Sequence, residues 1–308
     1  MGKSVSLVLG SGAARGLAHI GVIEVLQRHD LEIKSISGTS MGALIGGLYA
    51  AGGLDEFTEF ARAFRKVDFF KYLDLSPFGS AGWVKGDIII DTLKDIVGDI
   101  RIDELSIPYT AVAADINTGR EVWLQKGRLF DAIRASIAIP GVFTPHRING
   151  RVLVDGGIVN PVPVMPGSDT STDLTIAVDV NGHEAETPHH PEYQKKKPMP
   201  DYQKKVEKFF EAVQKRFDID ISKNRKSPPP SDELSLSDIL LRSFTTMQAT
   251  LTRYKLAANQ PDILISIPRN ICEVHEFYKA ELAIDTGIWW AERALETAKL
   301  YNHHHESS

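Results

Sequence analysis

Residues Met41 to Ala51 are small or apolar on nearly every side, and they follow almost at once on a short strand candidate, Ile33 to Ser37. A helix that is apolar all round has no face to give to water and must be buried. A strand that runs straight into such a helix leaves few architectures open. The helix has to lie against a sheet, with further elements closing over it.

The rest of the first half agrees. Val5 to Leu9 is a short apolar run that ends in glycines. Gly16 to Arg28 carries Leu17, Ile20, Val22, Ile23 and Leu26 at helical spacing. Leu54 to Phe64 and Asp87 to Val97 read as helices. Pro108 to Ala114, Glu121 to Leu124, Val152 to Val154, Leu174 to Val180 and Ile263 to Ile267 read as strands. Strands alternating with helices predict an α/β fold, a three-layer α/β/α sandwich around a mostly parallel central sheet. Residues 1–182 form its core. Residues 183–231 are rich in Lys, Pro and His and read as an insert. Residues 232–302 supply C-terminal helices and a last strand that completes the same domain.

Composition narrows the function. The net charge of −5 gives no general attraction to nucleic acid. One cysteine, Cys272, allows no internal disulfide and fits a reducing compartment. The opening Met1-Gly2-Lys3-Ser4 lacks the pattern of a secretory leader. The longest apolar stretch, Met41 to Leu54, is interrupted by glycines and falls short of the roughly 20 residues of a membrane span. These features predict a cytoplasmic protein that touches a membrane at most peripherally, at its inner face.

Three short motifs carry chemistry. Gly38-Thr39-Ser40-Met41-Gly42 is G-x-S-x-G between a strand and a buried helix, the context of a nucleophile elbow. Glycine on both sides of the serine leaves room for a tight turn, and the helix N-terminus behind it favours negative charge. Gly10-Ser11-Gly12-Ala13-Ala14-Arg15-Gly16 follows the first strand and opens a helix. Such a loop serves either a dinucleotide phosphate or an oxyanion. The dinucleotide reading expects an acidic residue at the end of the second strand. Asp30 and Glu32 lie before that strand, and Arg15 stands where the last glycine belongs, so the oxyanion role ranks higher. The third motif, Asp155-Gly156-Gly157, ends a buried strand, where α/β proteins keep functional groups, although Asp-Gly turns are common.

A serine nucleophile needs a base, either a histidine held by an acid or a carboxylate acting directly. None of the ten histidines stands in a telling context. His19 and His29 lie in or beside the first helix, His146 in a loop, His183, His189 and His190 in the insert, and His275 near the last helix. All read as surface or capping residues.

In this order the three motifs resemble the patatin-like phospholipase family, in particular bacterial members akin to the neuropathy-target-esterase catalytic domain. The stretches Leu17 to Val22, Ala114 to Gly119, Arg134 to Gly141 and Val154 to Pro163 are similar as well. The resemblance implies a patatin-like fold and a serine lipid acyl hydrolase using a Ser–Asp dyad, without cofactor or metal. Ser40 would be the nucleophile and Asp155 the base. Gly12 and Ala13, with Arg15, would form the oxyanion hole, and Gly10, Gly16, Gly38, Gly42, Gly156 and Gly157 would support the motifs. Ala13 replaces a family glycine. An alanine is tolerated there if its backbone angle is an ordinary one, whereas a position needing φ > 0 would force the loop to rearrange. The implied substrate is a phospholipid or lysophospholipid. A general esterase or thioesterase, and a non-catalytic lipid-binding protein of the same fold, remain open alternatives.

The insert offers a membrane contact. From Lys195 to Phe217 there are eight cations (Lys195, Lys196, Lys197, Lys204, Lys205, Lys208, Lys215, Arg216) against three anions (Asp201, Glu207, Glu211). Val206, Phe209, Phe210, Val213 and Phe217 line one helical face. That combination suits either an interfacial helix on an anionic membrane or a helix packed on the domain by its Phe face. The helical tail after Leu234 could pair two subunits into a homodimer.

Overall fold

The computed structural model describes residues 2–65, 87–167, 171–186, 200–217 and 236–305. Lys195 to Lys197, His189 and His190 lie outside the described residues. The centre is an eight-stranded sheet. Strands β1 (Ser4–Leu9), β2 (Glu32–Thr39), β3 (Tyr109–Asp115), β7 (Leu174–Gly182) and β8 (Ile263–Pro268) are parallel, in the order β3-β2-β1-β7-β8. The remaining three run antiparallel to their partners around β3: β4 (Arg120–Leu124), β5 (His146–Ile148) and β6 (Arg151–Asp155).

Alternation along β1 shows why helices cover both faces. Val5, Leu7 and Leu9 enter the main core with α1 (Ala18–Arg28), α2 (Met41–Ala50), α3 (Leu54–Arg62) and the C-terminal helix. Val8 points the other way, to Val162, Val164 and Leu256. A strand with two apolar faces can exist only between two layers. The fold is therefore the three-layer α/β/α sandwich with a mostly parallel sheet. The further helices are α4 (Asp87–Val97), α5 (Leu129–Ser136), α6 (Val164–Gly167), α7 (Pro200–Phe217), α8 (Leu236–Ala258) and α9 (Ala280–His305).

The structure departs from the sequence reading in three places. The segment expected to open the first helix begins as a 3-10 turn, Ala13–Leu17, before α1 proper. Helix α5 was not expected, because eight residues are too short for a clear period. The loop assigned to His146 is strand β5, joined to β6 by Asn149-Gly150, both with positive φ (50° and 79°). That pair is a strong signal for a two-residue hairpin, and it was legible.

Helix α9 is seated on α1 through two glycines. A Cβ on Gly21 would lie 2.1 Å from the Ile284 carbonyl oxygen, and one on Gly287 2.0 Å from that of Ala18. Backbone stands in the way at both points and cannot swing aside as a side chain can. Gly287→Leu should therefore lower stability by about 3 kcal/mol, at the upper end of the cost of overpacking, read as a shift of the urea unfolding midpoint.

Candidate active site

The elbow is built by close packing. Strand β2 ends at Thr39, α2 begins at Met41, and Ser40 between them sits at φ 56°, ψ −121°. Side chains rarely adopt such angles, at a cost of about 1–3 kcal/mol. A Cβ on Gly38 would come within 2.5 Å of the Gly42 carbonyl carbon, and one on Gly42 within 2.1 Å of the Leu9 oxygen. Ser136 braces the strained residue. Its hydroxyl donates to the Val112 carbonyl at 2.6 Å and accepts the Ser40 N–H at 2.9 Å. Nothing in its spacing marked Ser136 in the sequence.

Strand β3 brings the second group to the first. Along one edge β2 pairs up to Thr39 opposite Val112. On the same edge β6 arrives from the other direction and ends at Asp155 opposite Ala113. Two strands thus terminate head-on against neighbouring residues of β3, with Ser40 and Asp155 at their tips. Gly156 lets the chain turn away, since a Cβ there would lie 2.3 Å from the Val112 oxygen. The Asp155 N–H donates to the Ala138 carbonyl at 2.9 Å.

The Asp155 carboxyl is fully buried. Its Oδ1 accepts the Gly157 N–H at 2.7 Å. Its Oδ2 has no hydrogen bond among the described residues. Burial pushes the carboxyl up to about 7, with the nearby Ser40 side chain and the Gly157 N–H pulling it partly back. The site therefore holds a carboxyl that changes charge near neutrality, with the elbow serine beside it and no other group on Oδ2.

The glycine loop lies over the same place. A Cβ on Gly16 would meet the Met41 Cγ at 2.4 Å, so the loop presses on the residue just after Ser40. The N–H groups of Gly10, Ser11, Ala14 and Arg15 donate to Val178, Pro161, Val274 and Gly12 carbonyls at 2.8–3.1 Å. Between them, the N–H groups of Gly12 and Ala13 have no acceptor among the described residues. Ala13 does take a positive φ, 47°. The alanine bears the strain, and no rearranged loop is needed. Arg15 does not join these two donors, because its N–H is engaged by Gly12. Its buried guanidinium, whose pKa is lowered by that burial, turns to the Arg269 carbonyl at 3.3 Å.

Three further residues brace the loop. His19 is fully buried and is neither a surface nor a capping residue. Its ring Nε2 lies 2.8 Å from the Gly10 carbonyl, and burial lowers its pKa to about 4. The ring is therefore neutral, with Nε2–H as the donor. Gln248 of α8 donates to the Ser11 hydroxyl at 3.0 Å, and its amide occupies the space a side chain at Gly157 would need. Asn181 donates to the Ser11 carbonyl at 2.6 Å. Among the other histidines, His146 pairs with Asp131 and His29 with Glu292.

The Phe face of α7 is used for packing. Val206 is fully buried, and the Phe209 ring stacks edge-on against Phe60 at 6.0 Å. The side chains of Phe210, Val213 and Phe217 lie outside the described residues. Among the described residues no helix is long and apolar enough to cross a membrane, and no cluster of three metal-ligating side chains occurs.

A strained elbow serine and a buried carboxylate at opposed strand ends, under a glycine loop with free amides, define a class of α/β hydrolase-like proteins. The chain belongs to the patatin-like phospholipase family, whose model matches residues 7–167. It is thus a member of a lipid hydrolase family. It is 38% identical over 344 residues to an uncharacterised NTE family protein of Mycobacterium tuberculosis, across 96% of this chain and 92% of that one. It is 31% identical over 190 residues to the lysophospholipase nte1 of Neurospora crassa, across 61% of this chain and 12% of that protein. The crystal structure of VipD from Legionella pneumophila covers 96% of this chain and 67% of its own, at 15% identity and a TM-score of 0.44.

Two variants test this geometry. Ala13→Gly should raise stability by about 1 kcal/mol, the cost of a left-handed alanine, as a higher urea midpoint. Ser136→Ala should leave the chain folded but lower turnover of any ester substrate at least about tenfold, because Ser40 loses the hydrogen bond that holds its backbone.

Proposed function

We propose that this chain is a serine lipid acyl hydrolase that cleaves acyl esters of phospholipids or lysophospholipids. Ser40 attacks the ester carbonyl through Oγ, and its proton passes to Asp155 Oδ2. The Gly12 and Ala13 N–H groups hold the oxyanion, each worth about 3–4 kcal/mol in comparable sites. The carbon–oxygen bond of the ester breaks, and the leaving alcohol takes the proton from Asp155. Water then attacks the acyl-serine, gives a proton to Asp155, and releases the fatty acid as Ser40 regains its hydrogen. The observation that carries this reading is a fully buried carboxyl, pushed up to about 7 by that burial, which interacts with the side chain of the elbow serine and leaves Oδ2 to no other group. The relative from Neurospora crassa is a lysophospholipase, which supports a lipid substrate here.

The direct test is fatty acid release from mixed phospholipid and lysophospholipid vesicles, with chelator present, read by mass spectrometry. Wild type should release acid, and Ser40→Ala and Asp155→Ala should fall by about a thousandfold or more. Release that survives Asp155→Ala would sink the dyad. Release from soluble esters or thioesters alone would move the substrate class.

Two pH dependences follow from the raised carboxyl. The base works only when ionised, so kcat/KM should climb about tenfold per unit below pH 7 and level off above it. Stability runs the other way. The folded carboxyl keeps its proton up to about 7, whereas the unfolded one loses it near 3.8. Between those values the unfolded state binds fewer protons, so this group's stabilisation is lost as pH rises, by roughly 4 kcal/mol in all. Asp155→Asn should therefore be inactive, yet melt higher than wild type at pH 8 and close to it only near pH 4, as calorimetry would show.

A further inference from the structure

Helix α8 has two unlike faces. Gln248 and Thr252 point inward and are buried, Gln248 against the Ser11 hydroxyl and the Gly157 turn. Ile239, Leu240, Met247 and Tyr254 are between 46% and 72% exposed. At 3.6 residues per turn these four fall within an arc of roughly 100°, on the side away from Gln248 and Thr252. The arc contains no charged residue. Arg242 and Arg253 flank one side, and Lys255 flanks the other, tied to Glu121 at 3.2 Å. Glu121, on β4, also accepts the indole N–H of Trp123, an aromatic that is itself partly exposed.

We infer that this face of α8 is the surface by which the protein docks on an anionic phospholipid bilayer, an assignment that rests on the lipid hydrolase reading. Exposed large side chains set along one helical face are costly in water and gain when they enter acyl chains. Tyrosine and tryptophan suit the boundary itself, with an apolar ring and a polar tip. With Lys255 taken up by Glu121, the edge of this face keeps Arg242 and Arg253 against Asp238, in a chain whose net charge is −5. The local excess of cations therefore selects anionic headgroups. The inner face of the same helix seals the turn that carries Asp155, so docking there puts the catalytic groups one helix away from the lipid. The Phe face of α7 cannot serve while Val206 and Phe209 remain packed on α3.

The test uses the full chain carrying Ser40→Ala, so that lipid is not consumed, and measures co-flotation with phosphatidylcholine vesicles containing phosphatidylserine or phosphatidylglycerol. Adding Met247→Asp with Tyr254→Asp should weaken binding at least about tenfold, since two apolar side chains no longer enter the bilayer. A milder pair, Met247→Ser with Tyr254→Ser, should act in the same direction and guards against misfolding. With Ser40 restored, either pair should keep turnover of a soluble short-chain ester and lose turnover of vesicle lipid. Binding that is unchanged in both pairs overturns the assignment. So does a loss confined to self-association, with the wild type a dimer, the variants monomers and vesicle binding equal, because the face would then join two copies. If no lipid is hydrolysed by wild type but flotation still depends on Met247 and Tyr254, the docking surface stands and the hydrolase reading falls.

Discussion

Strand β3 is the element on which the site depends. One of its edges serves two partners in succession, β2 as far as Val112 and β6 from Ala113 onward. Because the two run in opposite directions, their ends meet, and whatever residues stand at those ends must be neighbours. Ser40 and Asp155 lie 115 positions apart in the chain and come together for that reason alone. The tight approach at Gly156 and the Ser136 hydrogen bonds to Val112 and Ser40 bind both tips to the same rung of the sheet.

The arrangement costs stability locally and recovers it elsewhere. Ser40 and Ala13 hold positive-φ backbone angles, and Asp155 is a fully buried carboxyl. Each would relax in a looser setting. They are held by a core that runs from β1 through α1, α2 and α9, where apolar side chains are almost all closed to solvent. Such strained and desolvated groups concentrate where chemistry is done, because reactivity and comfort make opposite demands on a side chain.

Much of this was legible in the sequence. The all-apolar helix after a strand fixed the layered architecture, and the glycines at 38 and 42 marked the turn. Motif order and flanking stretches indicated the family. What escaped depends on contacts between distant segments. His19 reads as an ordinary helical residue until the loop folds back onto it. Asn181 and Gln248 carry no local signature, and Ser136 shows only as part of the similar stretch Arg134 to Gly141, because each acts on a group far away in the chain. Helix α7 shows the opposite limit. Its cations and phenylalanines describe an interfacial helix and a packed one equally well, and only tertiary placement separates the two. Arg15 looked like a third donor because it sits beside two real candidates, but a 3-10 turn consumes its amide.

The Asn149-Gly150 turn has a consequence of its own. Side chains alternate along a strand, so the loop length between β5 and β6 decides which residue of β6 faces which side of the sheet. Asp155 is the last residue of a strand paired with β3 at only three positions. One residue gained or lost in that hairpin, if taken up along β6, would turn the buried Leu153 and Val154 as well as the carboxyl of Asp155 to the opposite faces of the sheet. Near the site the most consequential errors are therefore ones of counting: small insertions and deletions in an exposed turn can displace the Asp155 carboxyl where many substitutions would leave it in place.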